Sequence, residues 1–134
     1  MFVGLATPQQ AKKMYKNLIE SSPEGLFVHD FAGRVLFANS RAVHIMGAQS
    51  QEEFIGTNVL SFSLNEDADT LKKRKAPMLR GEDLAYQESR VRRMNGEVIE
   101  IETKPLLIDF QGKKAALVFF RDLTYHRQLE KEVV

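Results

Sequence analysis

Residues 25–47, GLFVHDFAGRVLFANSRAVHIMG, decide the fold of this 134-residue chain. Two short β-rich runs, GLFVHD and RVLFAN, flank the turn sequence DFAG, in which Gly33 is free to adopt a positive φ. Asn39 or Ser40 can then cap a short helix that closes at Gly47. The stretch therefore predicts a β-hairpin that runs directly into one short helix.

The residues before this stretch predict an amphipathic helix. Thr7 and Gln10 can form a capping box around Pro8, and Pro23 ends the segment. An apolar stripe follows helical spacing along it. Its members are Ala11, Met14, Tyr15, Leu18 and Ile19. We expect residues 1–23 to form an N-terminal helix.

The residues after it predict further short helices and then strands. SQEEFIG is typical of a capped helical turn, and residues 65–81, NEDADTLKKRKAPMLRG, predict one longer helix strained by Pro77. LAYQESRVRR and EVIEIETKPLLIDF flank Asn95-Gly96, a strong hairpin signal. IEIET places its isoleucines on one face and its glutamates on the other. Residues 114–122, KAALVFFRD, are apolar on both faces and need cover on both.

The composition excludes several classes of function. The chain has 43% hydrophobic residues, 28% charged residues, a formal net charge of +1 and no cysteine, as expected for a globular domain. Disulfides, thiolate catalysis and Cys-ligated metals are therefore excluded, and a broad attraction to nucleic acid is not expected. No apolar run approaches the roughly 20 residues that span a bilayer. We expect a cytoplasmic protein without direct membrane insertion.

Charged and titratable clusters offer no catalytic constellation. Residues 72–75, KKRK, would spread around a helix, which predicts a solvated face rather than a nucleic-acid site. His29, His44 and His126 are poorly spaced for a metal, and acids near helix starts are explained by the helix dipole. No nucleophile stands beside a base, and no glycine-rich phosphate loop occurs. We expect no catalytic residue and no metal site.

Four segments, taken in order, resemble the successive landmarks of a PAS domain. They are GLFVHDFAGRVLFANSRAVHIMG, EEFIGTNVLSF, RVRRMNGEVIEIET and RDLTYHRQLEKE. The resemblance implies an α+β PAS fold, a five-stranded antiparallel sheet with short helices on one face around a small cavity and an N-terminal amphipathic helix. Residues 24–124 would form the core, and residues 125–134 would begin a C-terminal signalling helix.

The resemblance implies sensing rather than catalysis. It favours a module that binds a small ligand or transmits a conformational signal to a C-terminal output domain, with a bacterial sensor histidine kinase of a two-component system as the leading parent. The alternatives are a ligand-free dimerisation module of a diguanylate cyclase or transcriptional regulator, and an enzyme or carrier on an unrelated α+β sheet.

The end of the chain resembles the D-[IV]-T triplet that joins many PAS domains to their output. Asp122 and Thr124 would form this signal junction, since either can accept hydrogen bonds from the first amides of a following helix. The family often has Glu-Arg straight after the triplet. Here Tyr125 and His126 stand there and Arg127 follows, which leaves the usual ion pair open.

The better-known cofactors of the family fit this sequence poorly. A flavin photosensor needs a cysteine for its adduct, and a non-covalent flavin needs amide side chains where this chain has Ile99, Ile101 and Thr103. Haem-binding members usually carry the ligating histidine on the long helix, where none occurs. We expect neither haem nor flavin, and either a filled core or a small, mostly apolar ligand.

The family register in the first strand places Leu26 and Val28 inward, with Phe27 and His29 opposite. Tyr86, Arg90 or Thr103 could meet a carboxylate or carbonyl of the ligand. The full set of predicted pocket residues is Leu26, Val28, Val35, Phe37, Ile45, Phe54, Leu60, Leu71, Met78, Tyr86, Arg90, Ile99, Ile101, Thr103, Val118 and Phe120.

Apolar residues assigned to the opposite face predict a parallel homodimer. It would be joined through the N-terminal helix and the outer face of the sheet. The predicted interface residues are Met14, Leu18, Ile19, Phe27, Leu36, Leu117 and Phe119. The alternative is a monomer in which the helix packs wholly on its own sheet.

Overall fold

The computed structural model describes residues 7–64 and 68–133, without the side chains of residues 68, 70, 71, 125, 126 and 133. Within that part of the chain, five strands form one antiparallel sheet in the spatial order β2-β1-β5-β4-β3. The strands are β1 (Gly25–His29), β2 (Val35–Ala38), β3 (Gln87–Arg92), β4 (Val98–Phe110) and β5 (Lys113–Asp122). The helices are α1 (Pro8–Glu20), α2 (Ser40–Met46), α3 (Gln51–Phe54), α4 (Ala68–Lys73), α5 (Lys75–Leu79) and α6 (Leu123–Val133), with a 3-10 turn at Val59–Phe62. The predicted α+β architecture is confirmed.

Helix α1 forms as predicted, but its apolar stripe is not buried against the sheet. Thr7 Oγ1 accepts a hydrogen bond from the Gln10 N–H at 3.1 Å, and Gln10 Oε1 accepts one from the Thr7 N–H at 2.9 Å, which completes the capping box. Its apolar stripe is open to solvent, since Met14, Tyr15 and Leu18 are 49%, 59% and 63% exposed. The apolar stripe of the helix therefore does not pack on the sheet of its own chain.

Asn39 joins α1, β1 and α2. Its side chain is fully buried. Oδ1 accepts hydrogen bonds from the N–H groups of Leu26 (3.0 Å) and Ala42 (2.9 Å). Nδ2 donates to the carbonyls of Ile19 (2.9 Å) and Glu24 (3.2 Å). Because every polar atom of this amide has a partner, the residue fixes the start of β1 against the start of α2 without a burial penalty.

The single helix predicted over residues 65–81 is wrong, because α4 ends at Lys73 and α5 starts at Lys75. Pro77 explains the break. A proline lacks the N–H that would bond to the carbonyl four residues earlier, and its ring clashes with that carbonyl, which here belongs to Lys73. Arg74 is left between the two short helices.

The predicted inward register of β1 is also wrong. The inner face of the sheet, which the short helices cover, carries Phe27, whose ring meets those of Phe54 and Phe120 edge-on at centroid distances of 5.9 and 5.4 Å. Successive side chains of a strand point to opposite faces. Leu26 and Val28 therefore lie on the outer face, where they are buried at 8% and 3% exposure.

Close approach of two strands explains this register. Gly25 pairs with Phe120 of β5, and a Cβ on Gly25 would lie 2.7 Å from Cζ and 2.8 Å from Cδ1 of that ring. A glycine within a strand often marks such a contact. Since Gly25 is on the inner face, Phe27 and His29 are as well.

In the second strand, one of the two residues predicted to point inward does so and the other does not. Val28 pairs with Phe37, whereas His29 pairs with Val35, because a bulge interrupts the register between them. Val35 is consequently fully buried in the core, and Phe37 lies on the outer face with Val28. Simple alternation from Val35 to Phe37 had placed both inward, and the bulge breaks that alternation.

We expect Gly25→Ala to lower the free energy of unfolding by about 1–3 kcal/mol, because the added methyl overpacks against the buried ring of Phe120. Urea unfolding followed by far-UV circular dichroism measures the change. The double variant Gly25→Ala/Phe120→Leu makes room for the methyl, so it should lose less stability than the two single variants added together. Strict additivity would contradict the proposed contact.

Candidate ligand cavity and signal junction

The inner face and the short helices enclose a cavity of about 400 Å³. This volume lies in the range of small-molecule sites, roughly 300–1,000 Å³. Seven of the predicted pocket residues line it: Phe54, Leu60, Met78, Ile101, Thr103, Val118 and Phe120. The cavity is therefore built mainly from apolar side chains of β1, β4, β5 and the helical segments.

Other predicted pocket residues lie elsewhere. Val35, Ile45 and Ile99 are buried in the adjoining core but do not line the cavity. Those on the outer face are Leu26, Val28, Phe37, Tyr86 and Arg90. The side chain of Leu71 falls outside the described residues. The errors in β1 and β2 follow from the register and the bulge described above.

Several lining residues were missed by the sequence reasoning. In the sheet they are Phe27, His29, Ser89, Val91, Pro105 and, in the turn that follows β1, Phe31, Ala32 and Gly33. In the helical segments they are Met46, Val59, Phe62, Ser63, Lys72, Arg74 and Lys75. Ser89 could have been predicted to line the cavity, because it pairs with Ile101 and therefore lies on the same face of the sheet. Moving Phe27 inward also removes it from the predicted dimer interface.

Tyr86 and Arg90, predicted as polar contacts for a ligand, instead belong to the outer face. Arg90 pairs with Glu100 across the sheet, whereas the cavity-lining positions of β3 are Ser89 and Val91. The Tyr86 hydroxyl donates to Glu24 Oε1 at 2.5 Å, and the guanidinium carbon of Arg121 lies 4.1 Å from the Tyr86 ring centroid. Burial, followed by the bond to Glu24, raises the pKa of Tyr86. This cluster ties the start of β1 to β5.

Arg74 brings a positive charge to the cavity wall. Its Nη1 donates to the carbonyl oxygen of Thr103 at 3.1 Å and to Thr103 Oγ1 at 3.3 Å, and its Nη2 donates to the carbonyl of Ala85. Burial lowers the pKa of Arg74, because desolvation disfavours the charged form. The residue lies at the break between α4 and α5, which Pro77 causes.

Metal binding has no support in the described part of the chain, where no three side chains of His, Asp or Glu converge on one point. His29 lines the cavity, and its Nδ1 lies 2.7 Å from the carbonyl oxygen of Asp30. The helices described by the structure are also too short or too polar to cross a membrane.

The predicted signal junction lies where β5 is followed by α6. Asp122 Oδ1 accepts a hydrogen bond from the Thr124 N–H at 3.0 Å and so caps the new helix. Thr124 Oγ1 accepts instead from the backbone N–H of Glu100 in β4, at 2.8 Å. The two residues therefore have different roles. Asp122 starts the helix, and Thr124 ties it to the sheet.

Arg127 adds an ion-pair cluster at this junction. Its Nη2 lies 2.8 Å from Glu88 Oε1, and its Nη1 pairs with Glu100. The hydrogen bond to Glu88, followed by that to Glu100, raises the pKa of Arg127. The arginine that stands one place later than in the usual family pattern therefore pairs with β3 and β4.

A profile of the PAS fold matches residues 13–123 of this chain. The chain belongs to the PAS family. The resemblance stated from four sequence segments is therefore confirmed over most of the chain. PAS domains generally act as sensory modules rather than as catalysts.

Known relatives of this PAS domain include a kinase. Sporulation kinase A of Bacillus subtilis (strain 168) is 24% identical over 116 residues, which are 87% of this chain and 19% of the kinase. The PAS domain of an HTR-like protein from Haloarcula marismortui has a TM-score of 0.72 at 23% identity, over 85% of this chain and 93% of that domain. A domain of a sensory box sensor histidine kinase/response regulator from Geobacter sulfurreducens has a TM-score of 0.70 at 24% identity, over 89% of this chain and all of that domain (100%). The two solved structures show that the chain shares their fold, and membership of the PAS family supports a sensory module.

Proposed function

We propose that this PAS domain is a cytoplasmic sensory module that binds a small, mostly apolar ligand in its inner-face cavity. It passes the resulting change through α6 to a C-terminal output domain, with a histidine kinase as the leading parent. The observation that carries this proposal is the adjacency of cavity and junction. Ile101 lines the cavity and is the direct cross-strand partner of Asp122.

The backbone offers a short route for the signal. Ile101 and Glu100 are consecutive in β4, so one side chain faces the cavity while the preceding amide donates to Thr124. A ligand that displaces Ile101 would shift this amide and, with it, the start of α6. A ligand can shift this equilibrium only if it binds the two states differently, so the proposal requires a ligand that binds more tightly when Ile101 is displaced.

Filling the cavity tests ligand binding. We expect 1-octanol to shift amide resonances of the inner-face strands in a two-dimensional ¹H–¹⁵N spectrum of the wild-type domain. Ser89→Phe, which places a ring in the cavity, should abolish these shifts, whereas Arg92→Phe on the opposite face of the same strand should preserve them. Absence of inner-face shifts in the wild type would favour a ligand-free module.

Loosening the junction tests transmission. We expect Thr124→Val to leave the domain folded and to lower the free energy of unfolding by about 0.5–2 kcal/mol, because the Glu100 amide loses its acceptor. The same change in the full-length parent should uncouple output from stimulus, while Glu132→Ala, an exposed change on the same helix, should not. Normal signalling by the Thr124→Val parent would refute this role.

A parallel homodimer is part of the same proposal. The exposed stripe of α1 and the half-buried outer-face residues Leu117 and Phe119 offer apolar surface, and Leu36 lies half-buried at the bulge of β2. Exposed apolar patches of this kind commonly mark association sites. A two-fold axis there would bring the two α6 helices side by side, where an output domain could read their separation.

Sedimentation velocity at micromolar concentration tests the dimer. We expect the wild type to sediment as a dimer and Leu18→Glu to shift it to monomer, because the charge falls in the apolar stripe of α1. Asn17→Glu, the neighbouring exposed position, serves as the matched control and should remain dimeric. A wild type that sediments purely as monomer would rule out this assembly.

A further inference from the structure

We infer that the cavity selects ligands that carry a single carboxylate on an apolar body, with the guanidinium of Arg74 as the group that binds the carboxylate. This inference rests on the proposed ligand-binding function and specifies the class of ligand. It differs from the sequence-based expectation, in which Tyr86 or Arg90 would meet a ligand carbonyl or carboxylate.

The charged residues of the cavity wall all have the same sign. Lys72, Arg74 and Lys75 line the cavity, and no aspartate or glutamate is among its lining residues within the described chain. The two lysines are exposed, whereas Arg74 is half-buried. An anion entering this site therefore meets attraction from each charged group that the structure describes there.

Arg74 differs from the other half-buried arginines whose partners are carboxylates. Arg93 pairs with Glu97 at 3.0 Å, and Arg127 pairs with Glu88 at 2.8 Å. The partners of Arg74 are two backbone carbonyls and one hydroxyl, all of them neutral. A guanidinium has five N–H donors, so these three acceptors leave donors for a ligand.

Burial makes this unpaired charge costly, and a carboxylate would offset the cost. Desolvation lowers the pKa of Arg74, whereas a nearby carboxylate favours the charged form of an arginine. Arginine also matches the planar geometry of a carboxylate, which can accept two parallel N–H bonds. The two hydrogen bonds to Thr103 hold the guanidinium in place before a ligand arrives.

The apolar part of the cavity wall, away from Lys72, Arg74 and Lys75, disfavours a second charge on the ligand. Phe27, Phe54, Ile101, Val118 and Phe120 present hydrocarbon to the cavity. A second ionised group placed among these side chains would be strongly disfavoured, because it would have no partner there. A monocarboxylate with an aliphatic or aromatic body therefore fits, whereas a ligand that carries a second charge at the far end of that body does not.

Octanoate and 1-octanol, which have the same chain length, test the inference by isothermal titration calorimetry. We expect the wild type to bind octanoate about tenfold or more tightly than 1-octanol, since hydrogen bonds to charged groups are the stronger class. Arg74→Gln should remove this preference, because it lowers the affinity for octanoate far more than the affinity for 1-octanol. Arg80→Gln, an exposed arginine that pairs with Glu82 at 2.6 Å outside the cavity lining, is the matched control and should keep the preference.

Salt dependence of the wild type gives a readout that needs no variant. Raising the salt from about 0.05 M to about 0.5 M should weaken binding of octanoate and leave 1-octanol unaffected, because screening acts on the charge alone. Equal affinities for the two probes, or a preference that survives Arg74→Gln, would overturn this inference while leaving the ligand-binding function in place. Failure of both probes to bind would overturn the function as well.

Discussion

The contact between Gly25 and the ring of Phe120 determines which side chains of β1 face the helices. The ring fills the space that a Cβ on Gly25 would occupy, so β1 approaches β5 closely and its odd-numbered residues face the helices. Phe27 then stacks edge-on against Phe120 at 5.4 Å, and the two rings form one side of the cavity. The inward position of Phe27 and the outward positions of Leu26 and Val28 follow from this close approach.

The same strands that build the cavity also end at the junction. β5 contributes Phe120 to the cavity wall and Asp122 to the cap of α6, two residues apart. β4 contributes Ile101 to the wall and the Glu100 amide to Thr124. Because neighbouring residues in a strand face opposite sides, a sheet only one layer thick separates a ligand from the output helix.

Much of the fold could be predicted from local patterns. The capping box of α1, the Asn95-Gly96 hairpin and the alternation in β4 each have a physical mechanism that acts within a few residues, and the structure confirms them. The parity of β1 could not be predicted in this way, because Leu26 and Phe27 are both apolar and either could face inward. Gly25 indicates which residues of β1 face inward, but only through its contact with Phe120, which lies 95 positions later.

The candidate site was harder to predict than the fold. Alternation placed Ile101, Thr103, Val118 and Phe120 in the wall because β4 and β5 run without a bulge. It failed for Phe37, where a bulge shifts the register. Arg74 was hidden inside a basic run that predicted a solvated face. Its place in the cavity wall depends on the helix break caused by Pro77, and the rule for proline could have located that break at Lys73.

Intermolecular nuclear Overhauser effects between octanoate and the ¹³C-labelled domain report which face of the sheet holds the ligand. We expect effects from the terminal methyl group of octanoate to the methyl groups of Ile101 and Val118, and none to Val28. Effects to Val28 or Leu26, or contacts confined to the outer face, would contradict the proposed site.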